Sequence, residues 1–425
     1  MPLADPKPSP PGFTRYQVFI VAILTILQFT IVLDFMVLAP LGYILLDKLH
    51  ITPHEFGLVV SAYAFSAGIS GFLAAGFADK FDRKRMLLFF YGGFILGTFL
   101  CGFAPTYELL MGARILTGIF GGVISSISFA IITDLFAFQQ RGRVMGFVQM
   151  AFAASQILGL PVGLYLANQF DWHAPFLMIA ALSIPVAIVV SFKMKPVNEH
   201  LKLKSEKNAF LHLWHTLKEW KYVQAFLTTT LLATGGFMLM PFSTAFLVNN
   251  VGLTEHDLPQ LFMFTGLFSV VTGPIIGRLS DVLGKFRVFA VGSVIGGLMV
   301  YVYTNLPPST FWLVLAINVI LFIGISSRII SATALITAVP EPKDRGAFMG
   351  INSSIQQVSG GIASVIAGLI VDQKGEDQPI LHFNTIGWVV VCSMAICILM
   401  MWNIDRNIIS KKEPVDVPVS SPGKA

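Results

Sequence analysis

Three ionisable side chains lie well inside long apolar runs of this 425-residue chain: Asp34, Arg114 and Arg328. A charge in hydrocarbon costs at least about 2.5–3.5 kcal/mol on insertion scales, so such a residue faces a cavity, a partner or a polar path. Asp34 is the only deeply placed carboxylate, about 12 residues before the end of an apolar run over 17–46, or roughly 18 Å at 1.5 Å per residue. The chemistry open to it is carrying a proton. An apolar setting favours a neutral acid and a nearby guanidinium favours a carboxylate, so a group switched between the two takes up and releases H⁺. Arg114 is the candidate partner; the competing reading is a fixed Asp34–Arg114 pair that serves structure alone. Arg328 follows Ser326 and Ser327 and has no acid at depth in its own run. It reads as a site for an anion or polar group, as a competitor with Arg114 for Asp34, or as a packing residue that snorkels or meets backbone carbonyls.

Little other chemistry is written into the chain. All eight histidines fall near run ends or in loops, and Cys101, Cys392 and Cys397 sit in apolar runs as small hydrophobes. No Cys/His metal spacing and no Gly-x-x-x-x-Gly-Lys-Ser/Thr loop occurs. Nothing resembles a selectivity filter. The expectation is therefore no cofactor, no metal and no enzyme or channel activity.

The elements that must position these residues are membrane spans. Hydrophobic residues make up 55% of the chain and charged ones only 12%, against roughly 25% charged in a soluble domain. Mean hydropathy is +0.75. A spanning helix needs about 20 apolar residues. Twelve runs qualify, near 17–46, 55–78, 86–104, 107–136, 143–167, 174–193, 223–248, 258–280, 287–305, 310–338, 347–371 and 384–404. The first is too long for a signal-peptide core and has no small-residue cleavage site after it, so it is expected to stay in the mature protein.

With the N-terminus inside, alternate loops place 24 of the 28 Lys and Arg on one side; only Lys48 and Lys374 fall on the other, with Arg114 and Arg328 in spans. That asymmetry predicts both termini in the cytosol. It also accounts for the net charge of +5 without nucleic acid. The predicted division is a tail over 1–16, a six-helix bundle over 17–193, a polar linker over 194–222, a second bundle over 223–404 and a tail over 405–425.

Two stretches recur in register. Ala75-Gly-Phe-Ala-Asp79-Lys-Phe-Asp82-Arg83-Lys84 follows the second span, and Gly277-Arg-Leu-Ser-Asp281-Val-Leu-Gly284-Lys285-Phe286 follows the eighth. Arg141-Gly142-Arg-Val-Met145-Gly146 opens the fifth span and Arg345-Gly346-Ala-Phe-Met349-Gly350 the eleventh. The offsets, 202 and 204 residues, indicate a duplicated half, the build of many secondary transporters.

This layout and the Asp-Lys-Phe-Asp-Arg-Lys loop resemble the major facilitator superfamily, from about residue 16 to 405. The first loop departs from the family signature at Ala75, Lys80 and Asp82 and keeps Asp79. The segment Val32-Leu-Asp34-Phe-Met-Val-Leu-Ala39-Pro40, with Arg114-Ile-Leu-Thr-Gly118 and Gly159-Leu-Pro161-Val-Gly163, loosely resembles elements of the drug and metabolite:proton antiporters.

The resemblance implies an all-α membrane fold of twelve helices in two pseudo-symmetric six-helix bundles. It implies a monomeric transporter of a bacterial inner membrane that exports a small amphiphilic drug or metabolite against protons by alternating access. Proton symport, or lysolipid or sugar movement, is the alternative. It also implies a cavity between helices one, four, seven and ten, with Gln28, Phe35, Ser125, Phe237, Met238, Asn318, Ser327 and Arg328 as lining candidates. Asp79, Arg83 and Arg141 read as a cytosolic latch, with Asp79 against the positive start of helix eleven near Gly346 and Asp281 near Gly142 as its mirror.

Overall fold

The computed structural model describes residues 13–77, 80–202, 209–341, 344–373, 375 and 378–410. Among them are 12 helices long and apolar enough to cross a membrane. In the first bundle these are α1 (Arg15–Val37), α3 (Pro53–Phe77), α4 (Arg83–Cys101), α5 (Tyr107–Leu135) and α8 (Ala174–Lys193), with α2 (Gly42–Lys48) a short helix between α1 and α3. The fifth span is composite: α6 (Phe138–Ala154), a π turn (Ser155–Gly159) and α7 (Leu160–Gln169). The second bundle holds α10 (Trp220–Asn249), α11 (Asp257–Leu283), α12 (Lys285–Thr304), α13 (Phe311–Ile336), α14 (Arg345–Ile370) and α15 (Phe383–Ser410). Between the bundles lies the ten-residue helix α9 (Ala209–Lys218).

Local chemistry sets several of these boundaries. Thr14 and Gln17 form a reciprocal capping box at the start of α1. Asp82 accepts from the Arg85 amide at the start of α4, and Thr106 from the Leu109 amide at the start of α5. The π turn precedes Pro161, which lacks the amide an α-helix needs there, and Ser155 Oγ bonds the Ala151 and Phe29 carbonyls at 2.9 and 3.2 Å. The run expected to be continuous over 17–46 breaks after Val37. Pro40 cannot donate to the preceding turn, and the chain re-forms a helix only at Gly42.

By alternation, one end of the molecule gathers Arg83, Lys84, Arg85, Arg141, Arg278, Lys285 and Arg287, forming a basic face. Large apolar side chains remain exposed around the outside, as lipid contact requires. The bundles meet mainly along α3 and α14, which run antiparallel. Gly57 lies on the Ser364 carbonyl and Gly68 against Val358 and Ser354. Small residues at these crossings let two backbones approach where lipid gives no hydrophobic drive to do so. At the second seam, α11 places Gly266 against Ile157 of the π turn. Near the basic face, α9 packs on both α3 and α14 with Leu213 and Thr216 buried, so the connection between the bundles is in part a helical strap.

Candidate functional site

Asp34 sits in the last turn of α1, Thr98 in the last turn of α4, and Arg114 two turns into α5. Antiparallel packing brings all three to one level. Arg114 Nη1 donates to Asp34 Oδ2 at 2.8 Å and to the Asp34 carbonyl at 3.3 Å, while Thr98 Oγ1 donates to Asp34 Oδ1 at 3.0 Å. The ion pair is closed off, with Asp34 0% and Arg114 1% exposed. Close helix approach makes this possible. A Cβ on Gly97 would meet Thr117 of α5 at 2.6 Å, and one on Gly118 would meet the Tyr63 carbonyl of α3 at 2.5 Å. Tyr63 thereby lies face-on to the guanidinium, 4.6 Å from its ring centroid. Arg114 Nε is buried without a hydrogen-bond partner among the described residues. Because α1 ends at Val37, Asp34 is about 5 Å from its helix end rather than the 18 Å the unbroken run implied.

An aromatic path leads from this pair to the other bundle. Phe35 lies 5.4 Å from Tyr63 and 5.5 Å from Phe237 of α10, and the Phe237 carbonyl accepts from Ser364 of α14. Gln28 and Ser125, both half-buried, are brought together at 3.3 Å. Four of the lining candidates, Gln28, Phe35, Ser125 and Phe237, are thus half-buried on facing helices. The other four are enclosed in the second bundle. Met238 is 1% exposed; Asn318 donates to Thr265 of α11 at 3.0 Å; and Ser327 bonds its own helix at Ile323 and packs on Gly292.

Arg328, 4% exposed, donates from Nε to Ser293 at 3.2 Å and reaches the Cys397 thiol, while Nη2 has no hydrogen-bond partner among the described residues; Phe289 lies 6.0 Å from its Cζ. It lies eight residues from the basic-face end of α13, whereas Asp34 lies near the opposite face in the other bundle. Competition with Arg114 for Asp34 is therefore ruled out by depth.

Of the latch residues, Asp79 lies outside the described residues. Arg83 is buried and pairs with Asp134 of α5 at 3.2 Å. Arg141 donates to the Thr133 and Phe136 carbonyls at 2.7 and 3.0 Å, capping the end of α5. These bonds lie within the first bundle. Gly142 is in the first turns of α6, Asp281 is exposed near the end of α11, and Gly346 opens α14 with open space where a side chain would begin.

Sequence reasoning missed the closure at the opposite face. Tyr43 of α2 donates to Asn168 Oδ1 at 2.6 Å, and Asn168 Nδ2 donates to the Glu255 carbonyl of the second bundle at 2.9 Å. Thr244 of α10 donates to the Ala39 carbonyl at 3.3 Å, and Phe56 meets Phe242 edge-on at 5.9 Å. Burial, then the charge of Glu255, pushes the Tyr43 phenol above its ordinary range, so it remains a donor at any physiological pH. A cleft of about 810 Å³ above this closure is lined by Lys48, His50, Asp171 and His173 among others. The only signal for the closure was a scatter of polar residues at run ends, too common to single out.

Comparison with known proteins agrees with this architecture. The family profile described as Major Facilitator Superfamily matches residues 24–227 and again 225–421, once per half. An uncharacterised MFS-type transporter of Bacillus subtilis (strain 168), YceJ, is 29% identical over 282 residues, 66% of this chain and 71% of that one. Multidrug resistance protein 2 of the same organism is 23% identical over 371 residues, covering 84% of this chain and 89% of its own. Among solved structures, a bacterial homologue of the human lysosomal transporter Spinster, in an inward-facing and occupied conformation, superposes with a TM-score of 0.73 at 14% identity, covering 94% and 99% of the two chains. A twelve-span protein whose two halves each match the family, and whose fold is shared with its solved members, is a multi-pass membrane protein of the Major Facilitator Superfamily of transporters, and the chain belongs to that family.

Proposed function

We propose that this transporter exports a small amphiphilic drug or metabolite in exchange for protons, with Asp34 as the proton carrier and Arg114 as its counter-charge. The observation that carries the reading is the enclosed Asp34–Arg114 pair at 2.8 Å, joined through Tyr63 and Phe35 to Phe237 of the other bundle. Protonating Asp34 removes the charge that holds Arg114 and frees the end of α1. Phe35, the next residue, then loses its fixed position against Phe237, and the bundles part at the opposite face. Gln28 and Ser125 offer the polar contacts of an otherwise aromatic cavity, which suits an amphiphile.

In this reading the basic face is cytoplasmic, both termini lie there, and the membrane is a bacterial inner membrane. A monomer suffices: residues 17–193 and 223–404 move as the two units and 194–222 links them. The latch of Asp79 with Gly346, and of Asp281 with Gly142, would hold the bundles together in one of the two access states; Asp281 is exposed here. Kinship with a multidrug resistance protein favours export. The complete burial of Asp34 favours a second reading, in which the pair only pins α1, α4 and α5 together. Proton symport, or movement of a lysolipid or a sugar, would use the same fold.

Everted membrane vesicles with a pH-sensitive dye, a panel of lipophilic cations, sugars and lysolipids, and Asp34→Asn alongside test these readings together. Substrate-induced proton release that disappears in Asp34→Asn is the expected result. Transport that stays fully proton-coupled in Asp34→Asn, with a lowered melting temperature, would assign the pair to structure instead.

A further inference from the structure

A second cleft, of about 730 Å³, opens at the basic face between the first turns of α4 and the segment that follows α8. The backbone holds its two walls together. The Arg83 amide donates to the Val197 carbonyl at 3.0 Å, and Lys84 Nζ donates to the Ser191 carbonyl at 2.8 Å. The basic residues around it divide by fate. Arg83 is buried on Asp134, and Lys84 is spent on a carbonyl. Lys80 and Arg85 line the cleft, both exposed, and neither side chain has a hydrogen bond or ion pair among the described residues. Asp82 also lines it, but one of its oxygens caps the Arg85 amide and the other is buried. Asn198 adds a polar side chain on the facing wall.

Below the cations the cleft turns apolar. Phe89, one helical turn after Arg85 on the same face, is 66% exposed, and Phe81 and Leu201 are 54% and 45% exposed. Exposed aromatic and aliphatic surface is what a helix presents to acyl chains, and these side chains begin where α4 enters the membrane. Two cations at the rim with no bond to any described residue, directly over a lipid-facing aromatic floor, match one occupant: a phosphodiester headgroup with its acyl chains attached. A soluble phosphate would meet the cations and leave the floor bare.

We infer that this cleft is a binding site for an anionic glycerophospholipid, its phosphate held by Lys80 and Arg85 and one acyl chain laid along Phe89. Such a basic pocket at the headgroup level needs no proton coupling and no particular direction of transport.

The test is native mass spectrometry of the purified, delipidated full-length chain, titrated separately with phosphatidylglycerol, phosphatidylcholine and inorganic phosphate. Phosphatidylglycerol is expected to bind in preference to both. The double variant Lys80→Gln/Arg85→Gln is expected to weaken its first binding step roughly thirtyfold, the effect of two lost surface cations. The control is Arg278→Gln/Arg287→Gln, two exposed cations on the same face of the other bundle with no place in the cleft. An equal loss in the control would show diffuse attraction only, and equal binding of phosphatidylcholine would remove the charge argument; either overturns the site. Binding of inorganic phosphate as tightly as the lipid would overturn the acyl-chain part. Because all four side chains are exposed, the variants retain the fold, which their melting curves check.

Discussion

Asp34 and Arg114 are a buried pair with one strong contact, and each partner depends on the other for a counter-charge. Removing one member of such a pair costs about 3–5 kcal/mol, because the remaining charge stays buried and uncompensated. Arg114→Met is therefore expected to lower the melting temperature in detergent markedly, and Asp34→Asn/Arg114→Met to recover most of the loss; equal melting of the single and double variants would contradict the pairing. Arg328 predicts the opposite sign. It reaches Ser293 and the Cys397 thiol, and among the described residues no acid faces it, so Arg328→Met removes a desolvated cation and leaves no orphaned acid behind. Its melting temperature is expected to stay level or rise, and a drop equivalent to about 2 kcal/mol or more would reveal a counter-charge. The sequence displayed Asp34 and Arg114 because a charge in an apolar run has no bland explanation. Thr98 and Tyr63 were illegible: a Thr in an apolar helix usually satisfies itself on its own backbone, as Thr25, Thr117 and Thr228 do here, so residue type alone does not mark those that reach a neighbour, such as Thr98 and Thr229.

At the scale of elements, hydropathy located all twelve spans, because lipid demands about 20 apolar residues of each. It missed the break at 38–41, where Leu38, Ala39, Pro40 and Leu41 are apolar throughout and only the proline signals a turn. It also passed over α2 and α9, each too short to cross a membrane. The break matters because it seats Tyr43 where it can steady Asn168, and Asn168, with Thr244, is a side chain that bonds across the bundles at that face. Asn168→Ala removes both bonds, and the closed state is expected to lose about 1–2 kcal/mol. In a background lacking Cys101, Cys392 and Cys397, a reporter cysteine in place of Asn249 on the cleft wall should then react several-fold faster with an impermeant maleimide. An unchanged rate would mean the closure rests on the α3–α14 packing and the contacts of Thr244 and Phe242 instead.

For the whole molecule, the concentration of Lys and Arg at one face predicts the orientation. A fluorescent protein fused after Ala425 should mature and emit in a bacterial host, while alkaline phosphatase at the same point should stay inactive; the reverse pattern would invert the topology. The duplication was legible in two loop repeats, and the family profile now covers both halves. The chemistry is not duplicated. One bundle carries a neutralised pair near one face, and the other a buried cation that faces no acid among the described residues, eight residues in from the basic-face end of its span.

That buried cation has an electrical consequence. A unit charge crossing the full membrane potential exchanges about 2.3 kcal/mol per 100 mV. In the proposed alternating access, rocking a bundle would carry Arg328 through only a small part of that field, on the order of a tenth, which amounts to roughly 0.2 kcal/mol per 100 mV. With Asp34 ionised, Asp34 and Arg114 have no net charge between them, and with Asp34 protonated the pair carries only the charge of the proton it has taken up. On that proposal the rearrangement of the protein itself is nearly indifferent to voltage, and membrane potential would drive the cycle through the charge of what is carried, the proton included.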